Sequence, residues 1–210
     1  MSEQNILKHV AVIPDGNRRW ARKKGLHPWL GHIKGAKALK EIFKTALDLR
    51  LYCFTFWAAS YDNLTKRSKL EVKYLYDVFT KEFLRLLKRK ELYENQIKVN
   101  FFGGFREIAP QKLLVATEKL EEATKNHNKM FLNFLIAYNG TDEMIEAIKN
   151  IAVFNIQPEK INEELIKQNL WTKDLPPVDL IVRTGEEKDP HNSAGFMMWD
   201  TAYSQYYFTK

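Results

Sequence analysis

The stretch KHVAVIPDGNRRWARKKG, residues 8–25, decides how the chain is organised. A short β-branched apolar run ends at Pro14, Asp15 and Gly16, and passes at once into Asn17, Arg18, Arg19, Trp20, Ala21 and Arg22. This reads as a buried strand, a tight turn and a helix. Gly16 lets the backbone turn sharply and approach a ligand. Asn17 can cap the helix that follows. Such a helix points free N–H groups and the positive end of its dipole at the turn, which makes an anion site. Arg18, Arg19 and Arg22 add charge, and a guanidinium fork matches phosphate oxygens two at a time. Asp15 would repel that anion unless a divalent cation bridges them, and hard oxygen ligands beside phosphate suggest Mg²⁺. A capped surface helix with solvated arginines would be spelled the same way, so the rest of the chain must decide.

Further runs of the strand type recur at residues 53–58 (CFTFWA), 97–103 (IKVNFFG), 130–138 (MFLNFLIAY) and 178–184 (VDLIVRT). Most are apolar almost continuously, as strands buried on both faces are. Between them, Leu39, Ile42, Phe43, Ala46 and Leu47 recur at helical spacing, and so do Leu75, Val78, Phe79, Phe83, Leu86 and Leu87. Helices are also expected near 111–126, 141–152 and 159–169, the last opened by Pro158. Strand alternating with helix predicts an α/β fold in one domain, with a mostly parallel central sheet flanked by helices on both faces. Ligands in such folds bind outside the carboxyl ends of the strands. Three of those ends are polar: PDGNRRW after the first strand, ASYDN after the second, and RTGEE after the run near 180.

The composition narrows the partners. The 210 residues carry 33 basic and 26 acidic side chains, a formal charge of +7, which suits phosphorylated molecules, nucleic acid or an anionic membrane. No module motif or aromatic interleaving supports nucleic acid. Cys53 is the one cysteine, so no disulfide forms within the chain and a reducing, cytosolic setting is expected. In its apolar run it reads as a buried thiol. No segment reaches the roughly 20 apolar residues of a membrane span.

The ordered motifs give a sharper reading. HVAVIPDGNRRWARKKG with GHIKGA, then ASYDN, AYNGTDEMIEAI, DLIVRTGEE and FMMWDTAYSQYYFT, resemble the signature of the cis-prenyltransferases, the undecaprenyl diphosphate synthase family, across nearly the whole chain. The resemblance implies one domain over 1–210 with a hydrophobic tunnel, and condensation of isopentenyl diphosphate with an allylic diphosphate such as farnesyl diphosphate. It implies that Asp15 engages Mg²⁺ and the allylic diphosphate, and that Gly16, Asn17, Arg18 and Arg19 cradle that diphosphate. Trp20, His32, Ser60, Asp62 and Lys66 match further substrate-binding positions. Asn63 matches a residue tied to proton removal; an amide is a poor base, so orienting a relay is the better role for it. Arg183, His191 and Ser193 match the holders of isopentenyl diphosphate. A homodimer that touches the membrane where its product partitions completes the expectation.

Several positions depart from that pattern. The central motif carries Asp62 for Glu and Leu64 for Trp, and its Arg is either replaced by Lys66 or displaced to Arg67. Pro28 stands where an Arg is usual. His191 stands for an Arg after an apparent insertion near KDP, and Gln205 for a Glu that supplies a second Mg²⁺ contact, often across the dimer. The sequence also stops at YYFTK, ahead of a segment that commonly follows. These features leave room for a non-catalytic accessory subunit, against which the complete DGNRRW loop argues.

Overall fold

Each apolar run forms a strand, and helix joins the first five strands in succession. The computed structural model describes residues 7–185 and 191–210. In chain order come β1 (His9–Ile13), α1 (Asn17–Lys23), α2 (Pro28–Asp48), β2 (Cys53–Ala59), α3 (Tyr61–Thr65), α4 (Lys69–Leu86) and α5 (Lys90–Glu94). There follow β3 (Ile97–Phe102), α6 (Phe105–Ile108), α7 (Gln111–Thr124), β4 (Met130–Ile136), α8 (Gly140–Val153), a 3₁₀ turn (Pro158–Lys160), α9 (Glu163–Asn169), β5 (Leu180–Thr184) and β6 (Gln205–Thr209).

The six strands make one sheet in the order β3-β4-β2-β1-β5-β6, every pair parallel. Successive strands run to one side of β1 as far as β3, and β5 and β6 then pair on its other side, so the topology switches at β1. All strands point the same way, and their carboxyl ends gather the loops at one edge. The inner strands β1, β2 and β4 are buried along nearly their whole length, because α2, α4 and α7 cover one face of the sheet while the segments around Leu175 and Phe196, which are not helical, cover the other, where helices were expected. Phe43, Leu75, Phe83 and Leu113 pack one face against Phe54 and Phe134, while Trp57, Tyr138, Leu175 and Phe196 fill the other.

Four further expectations change. The run at 159–169 breaks into a 3₁₀ turn and α9, because Asn162 Oδ1 accepts the Leu165 N–H and starts a new helix. The segment QYYFT adds a sixth strand, an exposed edge of aromatic residues. The helix of the second periodic stretch begins earlier, at Lys69, where Ser68 caps it. Asn17 does not cap α1: Gly16 occupies that position at φ 93°, and the Asn17 side chain instead covers Gly35 of α2. A Cβ at Gly35 would lie 2.7 Å from Asn17 Oδ1, and one at Gly31 would lie 2.0 Å from the Asn17 carbonyl oxygen. The two glycines therefore let α1 press onto α2.

A polar line crosses the buried sheet below the site. His9 is fully buried; its Nδ1–H donates to the Pro176 carbonyl at 2.8 Å, and its Nε2 accepts from Thr55 Oγ1 at 2.8 Å. Asn133 donates to Thr55 Oγ1 and to Cys53 Sγ, and accepts from Asn100. Burial pushes the Cys53 thiol up to about 12, which removes thiolate chemistry there. Burial also lowers His9 from 6.5 to about 4. Between those values the unfolded chain holds more protons than the folded one, so stability rises with pH. About 3 kcal/mol is expected to be present above pH 6.5 and lost as pH falls toward 4. Urea unfolding across that window should show the slope in the native protein and lose it in His9→Gln.

Candidate active site

Two glycines set the Asp15 loop. Gly16 and Gly185 have φ of 93° and 87°, and a Cβ on Gly185 would lie 2.5 Å from the Asp15 carbonyl carbon and oxygen. The end of β5 thus lies directly against the end of β1, with Thr184 Oγ1 donating to the Asp15 carbonyl at 2.9 Å. The Asp15 carboxylate is consequently shared: Oδ1 accepts the Gly16 N–H at 2.5 Å, while Oδ2 lies 3.1 Å from Arg183 Nη2 and 3.2 Å from Arg19 Nη2.

Arg183 is the most constrained of these cations. It is 4% exposed at the end of β5, and its Nη1 donates to the His191 carbonyl at 2.6 Å and to Ser193 Oγ at 2.8 Å. His191 thus meets Arg183 through its backbone; its ring is not among the groups that line the cavity below. The Arg183 Nε and the Asn139 Oδ1 are buried without a hydrogen-bond partner, and both residues line that cavity. Buried polar atoms left in this state mark a place prepared for a ligand.

Opposite stands a second cluster. Glu71, 5% exposed on the first turn of α4, presents Oε1 to Arg18 Nε at 3.2 Å, His32 Nε2 at 3.2 Å and Arg67 Nη1 at 3.4 Å. Burial lowers the His32 pKa, opposed by its bond to Glu71. A neutral His32 ring uses Nε2 either to donate to Glu71 or to accept from Arg67, each at 3.2 Å. Neither Glu71 nor its hub role was legible as a site; the only signal was the Ser68-x-x-Glu71 spacing of a helix start.

The two clusters face one cavity of about 930 Å³. Asp15, Gly16, Asn17, Arg18, Arg19 and His32 line its mouth, together with Ser60, Asp62, Asn63, Arg183 and Ser193. Ser60 also caps α3, accepting the Asn63 N–H at 3.1 Å. Arg67 lines the cavity, whereas Lys66 does not; it turns outward, 74% exposed, to pair with Asp62 at 2.7 Å. Trp20 also stands outside, 37% exposed beneath the Lys24 ammonium. Beyond the mouth the lining turns apolar, through Phe43, Leu75, Val78, Phe79, Phe83 and Phe134. At the far end it becomes charged again, where Glu82 receives Lys40 Nζ at 2.8 Å and Arg85 Nη1 at 2.6 Å. Gln205 lies elsewhere: it pairs with Leu180 at the start of β5, while Arg183 pairs with Phe208. Glu186, Glu187 and the KDP insertion fall outside the described residues.

Among the described residues no three His, Cys, Asp or Glu side chains gather to hold a metal ion. The donor set at the mouth is one strand-tip carboxylate, Asp15, with Asn63 and Asp62 nearby in the lining. That suits an ion taking one carboxylate and completing its shell from phosphate and water, as Mg²⁺ does.

A family model described as "Putative undecaprenyl diphosphate synthase" matches residues 13–210. The chain belongs to this cis-prenyltransferase family. Tritrans,polycis-undecaprenyl-diphosphate synthase (geranylgeranyl-diphosphate specific) of Pyrococcus furiosus is 39% identical over 97% of this chain and 76% of its own length. An isoprenyl transferase of Halalkalibacterium halodurans is 37% identical over the whole chain and 80% of its own length. The crystal structure of lavandulyl diphosphate synthase from Lavandula x intermedia with dimethylallyl diphosphate superposes at TM-score 0.89 and 28% identity, over 97% of this chain and 87% of that one. A probable undecaprenyl diphosphate synthase from Campylobacter jejuni, at 24% identity and TM-score 0.75, shares the fold. These relatives are named as synthases and a transferase, which supports the catalytic reading over the accessory one. Among the described residues no helix is long and apolar enough to cross a membrane.

Proposed function

We propose that this chain is a Mg²⁺-dependent cis-prenyltransferase that joins isopentenyl diphosphate to an allylic diphosphate. The observation that carries the reading is the continuity of one cavity, cationic at the strand ends and apolar within. In the reaction the allylic C–O bond breaks, the diphosphate leaves with the electron pair, a C–C bond forms to isopentenyl diphosphate, and a proton is lost. Negative charge grows on the leaving group, so donors already in place lower the barrier.

Arg18, Arg19 and the N–H groups after Gly16 receive the allylic diphosphate, with Asn17 and His32 shaping the pocket around it. Asp15 would hold Mg²⁺, and the ion would supply neutralisation of the departing charge. Arg183 and Ser193 hold the diphosphate of isopentenyl diphosphate, and the His191 carbonyl steadies Arg183. Asn63, with Ser60 fixing its turn, orients the proton relay. Arg67, rather than Lys66, supplies the cation of the central motif; Asp62 and Lys66 border the entrance. The apolar interior is a tunnel that takes the lengthening prenyl tail.

The protein acts in this reading as a cytosolic homodimer with peripheral membrane contact. Tyr203 and Tyr207 are 99% and 59% exposed around the free edge of β6, apolar surface that a second copy would cover. Gln205 then serves the partner's cavity or none. Because relatives are named as geranylgeranyl-diphosphate specific, that primer belongs beside farnesyl diphosphate in the test. Labelled isopentenyl diphosphate, Mg²⁺ and a series of allylic primers are expected to give labelled products longer than each accepted primer. No product from any primer would overturn the reading in favour of an accessory subunit.

A further inference from the structure

The far end of the cavity meets an unusually basic surface. From Lys81 to Lys90 the chain carries five cations and one carboxylate, a net +4 within a molecule whose formal total is +7. The one carboxylate, Glu82, is engaged by Arg85 and by Lys40 of α2. Lys44, one helical turn beyond Lys40, is exposed at the same end of α2, and Glu41 on that helix and Glu91 and Glu94 of α5 return some negative charge. Arg85, Arg89 and Lys40 all line the cavity. Arg85 and Lys40 are nonetheless 54% and 38% exposed, so the cavity ends one side chain away from solvent. Leu84, 38% exposed, sits among them, with Leu86 and Leu87 half-buried beside it.

We infer that this end of α4 docks on an anionic lipid surface, so that the apolar cavity opens onto the membrane at the end away from the diphosphates. The inference rests on the tunnel reading above. Charge complementarity selects the partner: clustered Lys and Arg near a bilayer each contribute about 1 kcal/mol. Their long apolar stems cover the leucines while the charged heads reach the headgroups. One apolar chain alone holds a protein to a bilayer only weakly, and a basic patch supplies the second signal. The prenyl tail and this rim together meet that requirement. A solvated basic face would need neither the leucine nor the cavity beneath it.

Flotation of the full-length protein with vesicles of mixed phosphatidylglycerol and phosphatidylcholine tests the inference, with pure phosphatidylcholine as the neutral comparison. Salt-sensitive binding to the anionic vesicles is expected. The triple variant Lys81→Gln, Lys88→Gln, Lys90→Gln, none of which lines the cavity, should bind about 100-fold more weakly. A second triple variant, Lys149→Gln, Lys160→Gln, Lys173→Gln, removes equal charge elsewhere and should bind as the native protein does. Equal loss in both variants, no preference for anionic vesicles, or equally strong binding of random oligonucleotides through the same three lysines would each overturn the assignment. Condensation assayed in detergent should be unchanged in the first variant. Absence of product in that assay would count against the enzymatic reading, while vesicle binding is read without turnover.

Discussion

Asp15→Ala is expected to lower kcat/KM about a thousandfold, the scale lost when one preorganised electrostatic contact to a transition state is removed. The fold should survive. Asp15 is 41% exposed at the side chain, and its partners Arg19 and Arg183 lie at 3.2 and 3.1 Å. The open pair with Arg19 contributes about 0–1 kcal/mol, and the buried Arg183 guanidinium keeps its bonds to the His191 carbonyl and Ser193 Oγ. The change in binding runs opposite to the change in turnover. Without the carboxylate, Arg19 and Arg183 lose their internal counter-charge, so inorganic diphosphate should bind more tightly when Mg²⁺ is absent. Addition of Mg²⁺ should then strengthen binding less than it does in the native protein. Asp15→Asn separates charge from shape, because an amide oxygen can still accept the Gly16 N–H. Calorimetric titration of diphosphate with and without Mg²⁺, beside turnover, checks all three. Near-native turnover, or an undiminished Mg²⁺ effect in Asp15→Ala, would rule out the metal role.

Much of this was legible because local chemistry and global position agree. The apolar runs became the buried strands of a parallel sheet, and the polar strand ends at Asp15, Asn63 and Arg183 meet because parallel strands present their carboxyl ends together. The pressed contact between Gly16 and Gly185 was not legible, since it joins loops about 170 residues apart. Asn17 misled as a cap because the competing partner, Gly35, lies on another helix. Lys66 and Arg67 looked interchangeable in sequence; the bend between α3 and α4 sends the first to solvent and the second into the cavity. Trp20 illustrates the converse limit. Its motif position suggests the pocket, yet α1 turns it outward. The edge strand β6 went unread because it is covered on so little of its surface that its pattern resembles an exposed segment.

Glu71→Ala is expected to be the most damaging substitution away from the reacting groups themselves. A single buried oxygen faces the guanidinium groups of Arg18 on α1 and Arg67 in the α3–α4 turn, and the His32 ring of α2. Removing one member of a buried charge cluster costs about 3–5 kcal/mol, because the remaining charges are left uncompensated. Urea unfolding should register that loss directly. Stability alone would not distinguish a scaffold from a positioning residue, so the conservative variant carries the argument. Glu71→Gln keeps the volume and one acceptor oxygen but loses the charge, and a neutral amide cannot hold Arg18, Arg67 and His32 at once. Arg18 and Arg67 should then wander, and the mouth should lose the fixed cations that receive a diphosphate. KM for the allylic substrate is expected to rise about tenfold, the cost of roughly 1.4 kcal/mol of binding, and kcat should fall as well, because Arg18 also stabilises the charge that grows on the leaving diphosphate. A variant that loses stability yet keeps the native KM would reduce Glu71 to a packing role. A rise in KM with native-like stability would identify it as the residue that aims Arg18 and Arg67 at the entrance.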